Sequence, residues 1–374
     1  MKQLANIARL ALKELRSIKH DKVLLFFLIW AFSGGIYTAA TAAAKELHNA
    51  PVAVVDEDRS PLSQRMIDAL YPPYFKPPEA ISMAEIDPAL DAGHYTFVIV
   101  IPPRFQRDVL AGKQPAVQVN IDATRMTQAF IGATYIQNIL LGEVNAFVQG
   151  YRAESALPVD LTVRVKYNPN LTGTWFGGVM EIISQVTMLS IILTGAALIR
   201  EREHGTIEHL LVMPLSPTEI MLSKVLASGL VVLVAAGLSL WLVVEDLLAV
   251  PIAGSVWLFL FGAALHLFAT TSLGIFLGTV ARSMPQLGLL IILVILPLQL
   301  LSGGITPRES MPAFVQDIML AAPTTHFISL AQGILYRGAG IAVVWPQMLA
   351  LLAIGGVLFV VALMLFRRSL AAAQ

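Results

Sequence analysis

Residues 23–44 read VLLFFLIWAFSGGIYTAATAAA, a run of 22 positions without a charge. At 1.5 Å of rise per residue, about 20 apolar residues cross a hydrocarbon core of roughly 30 Å. This stretch is long enough to span. On its N-terminal side, Lys2, Arg9, Lys13, Arg16, Lys19 and Lys22 alternate with Leu4, Ile7, Ala8, Ala11, Leu15 and Ile18, which share one helical face. That is the pattern of a helix lying in the membrane interface. The Thr41-Ala-Ala-Ala44 end resembles a signal-peptidase site, but signal peptides carry an apolar core of about 7–15 residues behind a short basic region. The longer run and the 22 residues before it favour a retained first transmembrane helix.

Past residue 44 the composition changes. Residues 45–174 hold 11 basic and 14 acidic side chains, close to the density of a soluble domain, whereas residues 175–374 hold only 8 and 9. A water-soluble domain is therefore inserted into a hydrophobic one. In the hydrophobic part, uncharged or nearly uncharged runs cover residues 175–199, 225–244, 247–281, 283–303 and 338–366. The fourth of the six runs is long enough to begin at an outer loop near Val250-Pro251 and still cross once. The stretch 318–336 is interrupted by Pro323, Thr324, Thr325 and His326, and reads as a re-entrant or interfacial pair of short helices.

Basic residues in short flanks stay cytoplasmic. With six alternating spans, the N-terminal bases, Arg200, Arg202, Lys224, Arg282, Arg367 and Arg368 fall on one side, and Arg308 and Arg337 on the other. Both termini are then cytoplasmic and residues 45–174 external. The expected fold is a polytopic α-helical membrane protein with six transmembrane helices and an external α/β domain between spans 1 and 2. Its parts are an interfacial helix at 1–22, the first span at 23–44, a periplasmic domain at 45–174 and spans 2–6 in 175–374, with a cytoplasmic elbow at 200–216 and a re-entrant outer segment at 303–337.

Across the whole chain, 56% of residues are apolar and 13% charged, 25 bases offset 25 acids, and mean hydropathy is +0.71. Disorder and nucleic-acid binding are excluded by that balance. Cysteine is absent, which excludes disulfides, thiol catalysis and Cys-ligated metal.

In the inserted domain, residues 51–55, 94–101, 116–121 and 161–167 have the β-branched and aromatic content of strands. Ser60-Pro61 starts one helix, Pro103 another, and residues 126–151 form a long amphipathic one. Asp56-Glu57-Asp58 reads as an acidic strand-end turn, since no glycine-bearing Ca²⁺ loop follows.

The most informative segment lies between the second and third spans: residues 200–214, REREHGTIEHLLVMP. Gly205 suits the left-handed end of the helix leaving the membrane, Thr206 can cap a short helix with Glu208 in its first turn, and Pro214 ends it. Ser216-Pro-Thr-Glu219 is a capping box that launches the third span. This charged elbow exposes Ile207, Leu210 and Leu211 beside acids and calls for a protein partner, although an ordinary solvated turn on the headgroups has the same composition.

At these residues the chain resembles the permease subunits of ABC-2 type export transporters, with the pattern Arg-Glu-x-Gly-Thr-x-Glu-x-Leu-Leu-x-x-Pro matched from Arg202 to Pro214. Tyr167-Asn-Pro169, Ala281-Arg-Ser283 and residues 301–312, LSGGITPRESMP, extend the likeness along the chain. The resemblance implies a bacterial inner-membrane subunit that dimerises with itself or a related permease and binds two ABC ATPase subunits carrying ATP and Mg. It implies that Glu201, Arg202, Glu203, Gly205, Thr206, Glu208, Leu210 and Leu211 couple to that ATPase, with Glu203 and Glu208 paired to its bases. A substrate, small and amphiphilic or drug-like, would leave between spans 1, 2 and 5. A periplasmic adaptor and an outer-membrane channel are further expected partners. Lipid or polysaccharide export, import, and a non-transporting receptor or scaffold remain alternatives.

The chain has no catalytic centre, metal site or cofactor of its own in this reading. No G-x-x-x-x-G-K-[ST] loop and no H-E-x-x-H occur. Leu301-Ser-Gly-Gly304 looks like a fragment of an ABC ATPase signature, but it ends an apolar run. Gly303 and Gly304, then Thr306-Pro307-Arg308-Glu309, predict a span that ends and turns into a capped short helix. Glu181 is the one acid inside a span, a costly placement that marks a substrate-path candidate together with Trp175, Phe176 and Gln299; a headgroup-level position on a half-wet helix end is the bland alternative. His266 and Gln185 read as interhelical hydrogen-bonding residues, and Gly274-x-x-x-Gly278 as a close helix contact.

Overall fold

The computed structural model describes residues 2–42, 47, 49–122, 126–150, 167, 173–203 and 215–371. The chain divides into two compact units, one built mainly from residues 1–43 and 174–374 and the other from residues 44–166.

Among the described residues of the first unit, six helices are long and apolar enough to cross a membrane: Lys22–Thr41, Gly173–Glu203, Pro217–Leu247, Val256–Val280, Met284–Leu301 and Ile341–Ser369. They are called the first to sixth spans. The fourth begins later than its apolar run because Ser255 caps it, accepting from the Leu258 N–H at 3.3 Å, and leaves Val250-Pro251 in a loop. The apolar cores of the second and fourth spans are 72% and 61% buried, against 17% for the fifth and 22% for the sixth, so the former pair is central and the latter pair rims the bundle. Two π-helical segments interrupt the regular geometry, Ala31–Gly35 within the first span and Leu240–Leu247 at the end of the third.

Glycine sets the contact at the centre. A Cβ on Gly274 would lie 2.2 Å from Thr194 Oγ1 and 2.6 Å from the Ile191 carbonyl, and one on Gly278 would lie 2.9 Å from the Gly195 carbonyl. The backbones of the second and fourth spans thus touch, as small residues permit in lipid. Hydroxyls line the same seam: Thr187 Oγ1 lies 2.9 Å from His266 Nε2, and Ser190 Oγ donates to Thr270 Oγ1 at 2.7 Å. The fully buried His266 ring stacks on Phe327, centroids 4.3 Å apart. Gln185 bonds along its own helix, to Glu181, and not across to a neighbour.

Ala313–Met319 and Pro323–Leu335 meet at an 88° bend, and the second of these helices packs on the fourth and sixth spans. The capping box expected at Thr306 is replaced by a short 3-10 turn, Arg308–Ser310, with Pro307 itself at the N-cap and no side-chain cap. Proline at that position has no N–H, and Gly303 at φ 92° has already turned the chain.

The N-terminal helix, Lys2–His20, packs along the third span. Its inward stripe differs from the apolar face read from sequence. Leu4 is 73% exposed, while Asn6, Leu10 and Glu14 turn inward with Ile7, Ala11, Leu15 and Ile18.

The second unit holds a mixed four-stranded sheet of order β2-β1-β3-β4, from β1 (Val52–Asp56), β2 (Glu79–Ala80), β3 (Phe97–Ile101) and β4 (Gln118–Ile121). β1 is parallel to β2 and β3, and β3 is antiparallel to β4. Val52, Val54, Phe97, Ile99 and Ile101 pack with Leu62, Met66, Phe105 and Ile136, while Ala53, Val55, Val98 and Val100 pack with Ile86 on the other face. Burial on both faces explains why the two central strands read as continuous apolar runs. Helices occupy Pro61–Asp68, capped by Ser60, Phe105–Leu110 and Met126–Gln149. The second of these starts after Arg104, at φ 65°, and not at Pro103. The two-residue β2 was not anticipated, and the strand expected at 161–167 lies outside the described residues except for Tyr167.

The acidic turn behaves as a local organiser. Asp56 Oδ1 accepts from the N–H groups of Asp58 and Arg59 at 3.0 and 2.9 Å, and its Oδ2 accepts from Ser63 Oγ at 2.8 Å. Asp58 accepts from the Gln106 N–H.

Candidate functional site

Both ends of the elbow are fixed by charge. Lys224, on the third span and only 2% exposed, forms an ion pair with Glu201 Oε2 at 2.8 Å and donates to Glu14 Oε1 at 3.1 Å. Lys13 approaches Glu201 from the rim at 3.7 Å. One cation therefore ties the end of the second span to the start of the third and to the N-terminal helix. Asn6 adds a second link, donating to Glu219 Oε1 at 3.1 Å.

Arg202 forms a clasp on the fourth span's end, donating to the Ala281 carbonyl at 2.7 Å and the Thr279 carbonyl at 3.5 Å, and reaching Ser369 Oγ at 3.3 Å. Carbonyls at a helix C-terminus lack intrahelical partners, so a cation there suits both the hydrogen bonds and the dipole. Glu203 Oε1 accepts from the Met284 N–H at 3.0 Å, the mirror-image arrangement at the start of the fifth span. Arg200 pairs with Asp21, which also caps the first span through the Leu24 N–H. On the far side of the elbow, Ser216 and Glu219 exchange the hydrogen bonds of a capping box, with Pro217 at N1. Four consecutive residues, Arg200 to Glu203, thus reach the N-terminal helix and the first, third, fourth, fifth and sixth spans.

Glu201, Arg202 and Glu203 are placed within this internal network. Gly205, Thr206, Glu208, Leu210 and Leu211 lie outside the described residues, as does the elbow between 204 and 214. Sequence reasoning missed Glu14, Asp21 and Lys224 as partners of the elbow. The only sequence signal is that Lys224 is the one base within the third span, which marks it as needing an acid but does not say which.

Three of the residues expected on the substrate path, Trp175, Phe176 and Glu181, lie toward the other end of the second span, and Gln299 lies on the fifth. Glu181 is half-buried and accepts from Gln185 Nε2 at 2.7 Å. Tyr336 donates to the carbonyls of both Trp175 and Phe176 at 3.1 Å, and its ring stacks with that of Phe176, centroids 6.2 Å apart. Gln299 lies half-buried on the fifth span, near its end. Gly304 sits against Met180 and Ile328, which places the turn after the fifth span beside the second, and Ser302 hydrogen-bonds Thr324. Gly303 and Pro307 shape that turn, and Glu309 lies within its 3-10 segment.

Comparison with known proteins bears on what such a bundle does. A family profile described as ABC-2 family transporter protein matches residues 23–364. The chain is 61% identical over 370 residues to the inner membrane transport permease YhhJ of Escherichia coli (strain K12), covering 99% of each chain. It is 28% identical over 364 residues to the probable multidrug ABC transporter permease YbhR of the same organism, covering 95% of this chain and 96% of that one. Similarity to the probable multidrug ABC transporter permease YbhS is 27% over 272 residues, 71% of each chain.

Proposed function

The chain belongs to the ABC-2 transporter family, and on that premise we propose that it exports a small amphiphilic or drug-like substrate across the bacterial inner membrane, driven by a separate ATPase. ABC-2 permeases work with ABC ATPase subunits, and the family is a transport permease and not an ATPase. The chain spans the membrane with its elbow and both termini on the cytoplasmic side and the α/β unit in the periplasm. The bias of lysine and arginine toward one set of span ends supports that orientation. The functional unit is a dimer of this chain or of this chain with a related permease.

The observation that carries the coupling role is the bracing around residues 204–214. Arg200 to Glu203 reach the first, third, fourth and fifth spans, so a displacement of the elbow is passed to most of the bundle at once. In this reading Glu208, Leu210 and Leu211 are the residues that meet the ATPase, and the Gly205-Thr206 pair is part of the same sequence motif. Glu201, Arg202 and Glu203 carry the movement inward. The name of the 28% identical relative supports a drug-like substrate; lipid or polysaccharide export uses the same parts.

Co-reconstitution with the cognate ATPase tests the reading. Replacing Leu210 and Leu211 by Ala together with Glu208→Ala should abolish the permease's stimulation of ATP hydrolysis while leaving its thermal stability unchanged. Undiminished stimulation would remove the elbow from coupling.

A further inference from the structure

A groove of about 530 Å³ lies between the first and third spans, and none of its lining residues belongs to the second or fifth span. Leu28, Ile29 and Phe32 form one wall, and Leu230, Val234 and Leu238 the other. Ile29, Leu230, Val234 and Leu238 are each about half exposed, so one side is open where the bilayer lies. Its volume falls in the range of small-molecule pockets, roughly 300–1,000 Å³.

Two features separate it from an ordinary cleft between lipid-facing helices. Both walls carry π-helical turns at the groove: Phe32 and Ser33 lie in the segment Ala31–Gly35, and Leu242 and Val243 lie in Leu240–Leu247. Such turns displace side chains from the regular helical face and concentrate at functional sites. The second feature is Ser239, which lines the groove, is 3% exposed, and has an Oγ without a hydrogen-bond partner among the described residues. Its neighbour across the groove, Ser33, already donates to the Ile29 carbonyl at 2.6 Å.

A buried hydroxyl in hydrocarbon carries a desolvation cost that a partner removes. Ser239 lies 15 residues, roughly 22 Å, beyond Lys224 and six residues, roughly 9 Å, before Glu245 at 1.5 Å per residue. An acyl tail fills the walls but carries no hydrogen-bond acceptor along its length. The lining has no charged side chain, so an ion would be unpaired there.

We propose that this groove is a binding site, entered sideways from the bilayer, for an uncharged lipophilic molecule with a hydrogen-bond acceptor that receives the Ser239 hydroxyl. The site goes beyond the export reading and stands without it. Its occupants are compact aromatic or polycyclic ketones, ethers or esters.

Benzophenone is a suitable probe, being an uncharged aromatic ketone that labels C–H bonds within reach on irradiation. With the full chain in nanodiscs and no ATPase present, labelling should saturate and map by peptide mass spectrometry to residues 28–33 and 230–243. Ser239→Ala should weaken half-saturation about five- to tenfold, the worth of one hydrogen bond, and Ser239→Thr should keep it. Val234→Trp, which fills the groove from its open side, should abolish the saturable component. Labelling that rises linearly with probe and spreads evenly over the fifth and sixth spans would overturn the proposal. So would an unchanged half-saturation in Ser239→Ala. Because the ATPase is absent, failure here leaves the transport reading intact, and failure of ATPase coupling leaves this site intact.

Discussion

Replacing Lys224 by methionine keeps most of the stem's volume and removes the one charge that joins three segments. Glu14 and Glu201 are then left together, with side chains only 16% and 12% exposed. Removing one partner of a buried ion pair costs about 3–5 kcal/mol, mainly because the remaining charge is stranded. Lys13 offsets little, since it is 57% exposed at 3.7 Å, and such rim pairs contribute about 0–1 kcal/mol. Glu14 belongs to the N-terminal helix, so the loss falls on the docking of that helix against the third span. At tenfold per 1.4 kcal/mol, amide hydrogen exchange in residues 2–20 should accelerate roughly a hundred- to a few thousandfold. The measurement is exchange mass spectrometry on the full chain in nanodiscs. The triple replacement Lys224→Met, Glu14→Leu, Glu201→Leu should recover most of the protection, because an apolar substitute for a whole buried network is close to neutral. A change below about threefold in Lys224→Met would refute the assignment of this lysine as the tie.

Gly274→Ala should lower the thermal midpoint through an overpacking cost of about 1–3 kcal/mol, while Gly288→Ala, where an added Cβ meets nothing within 4 Å, should not. Tyr336→Phe should cost about 1 kcal/mol and speed exchange at the N-terminal turn of the second span, by removing the hydroxyl's hydrogen bonds to the Trp175 and Phe176 carbonyls. Asp56→Ala should destabilise the α/β unit by roughly 2 kcal/mol, and Ca²⁺ should leave the wild-type melting curve unmoved. The Tyr95 hydroxyl, donating to Glu79 at 2.6 Å, is held above the ordinary tyrosine range by that hydrogen bond. Its hold on β2 is complete below the unfolded tyrosine pKa and lost as pH rises through the raised one, so Ile81 amide protection should fall there in wild type but not in Tyr95→Phe.

The spans were legible because a run with little or no charge is a direct statement about solvent, and a helix of spanning length overlaps each of the six runs. The strands of the α/β unit were legible for the same reason in miniature: residues 52–55 and 97–101 have no polar position to hide. What escaped were pairings between residues far apart in the chain. Nothing near Glu14 announces Lys224, 210 residues away, so the N-terminal helix was assigned an apolar face containing Leu4, which is exposed, and lacking Glu14, which is not. Arg202 and Glu203 stood out as a motif, yet their partners are a helix C-terminus and a helix N-terminus, backbone groups with no sequence signature. The capping pattern at Thr306 matched by composition alone, and the left-handed turn at Gly303 sent the chain elsewhere.

The glycine seam makes the second and fourth spans a single mechanical part. With Gly195, Gly274 and Gly278 in backbone contact and Arg202 clasped to Thr279 and Ala281, neither helix can tilt or rotate alone. The second span is 31 residues long, roughly 46 Å. In the coupling proposed above, a push delivered at Arg200–Glu203 would act on a stiff double lever, and a small displacement at that end would reappear at Trp175 and Phe176 at the other.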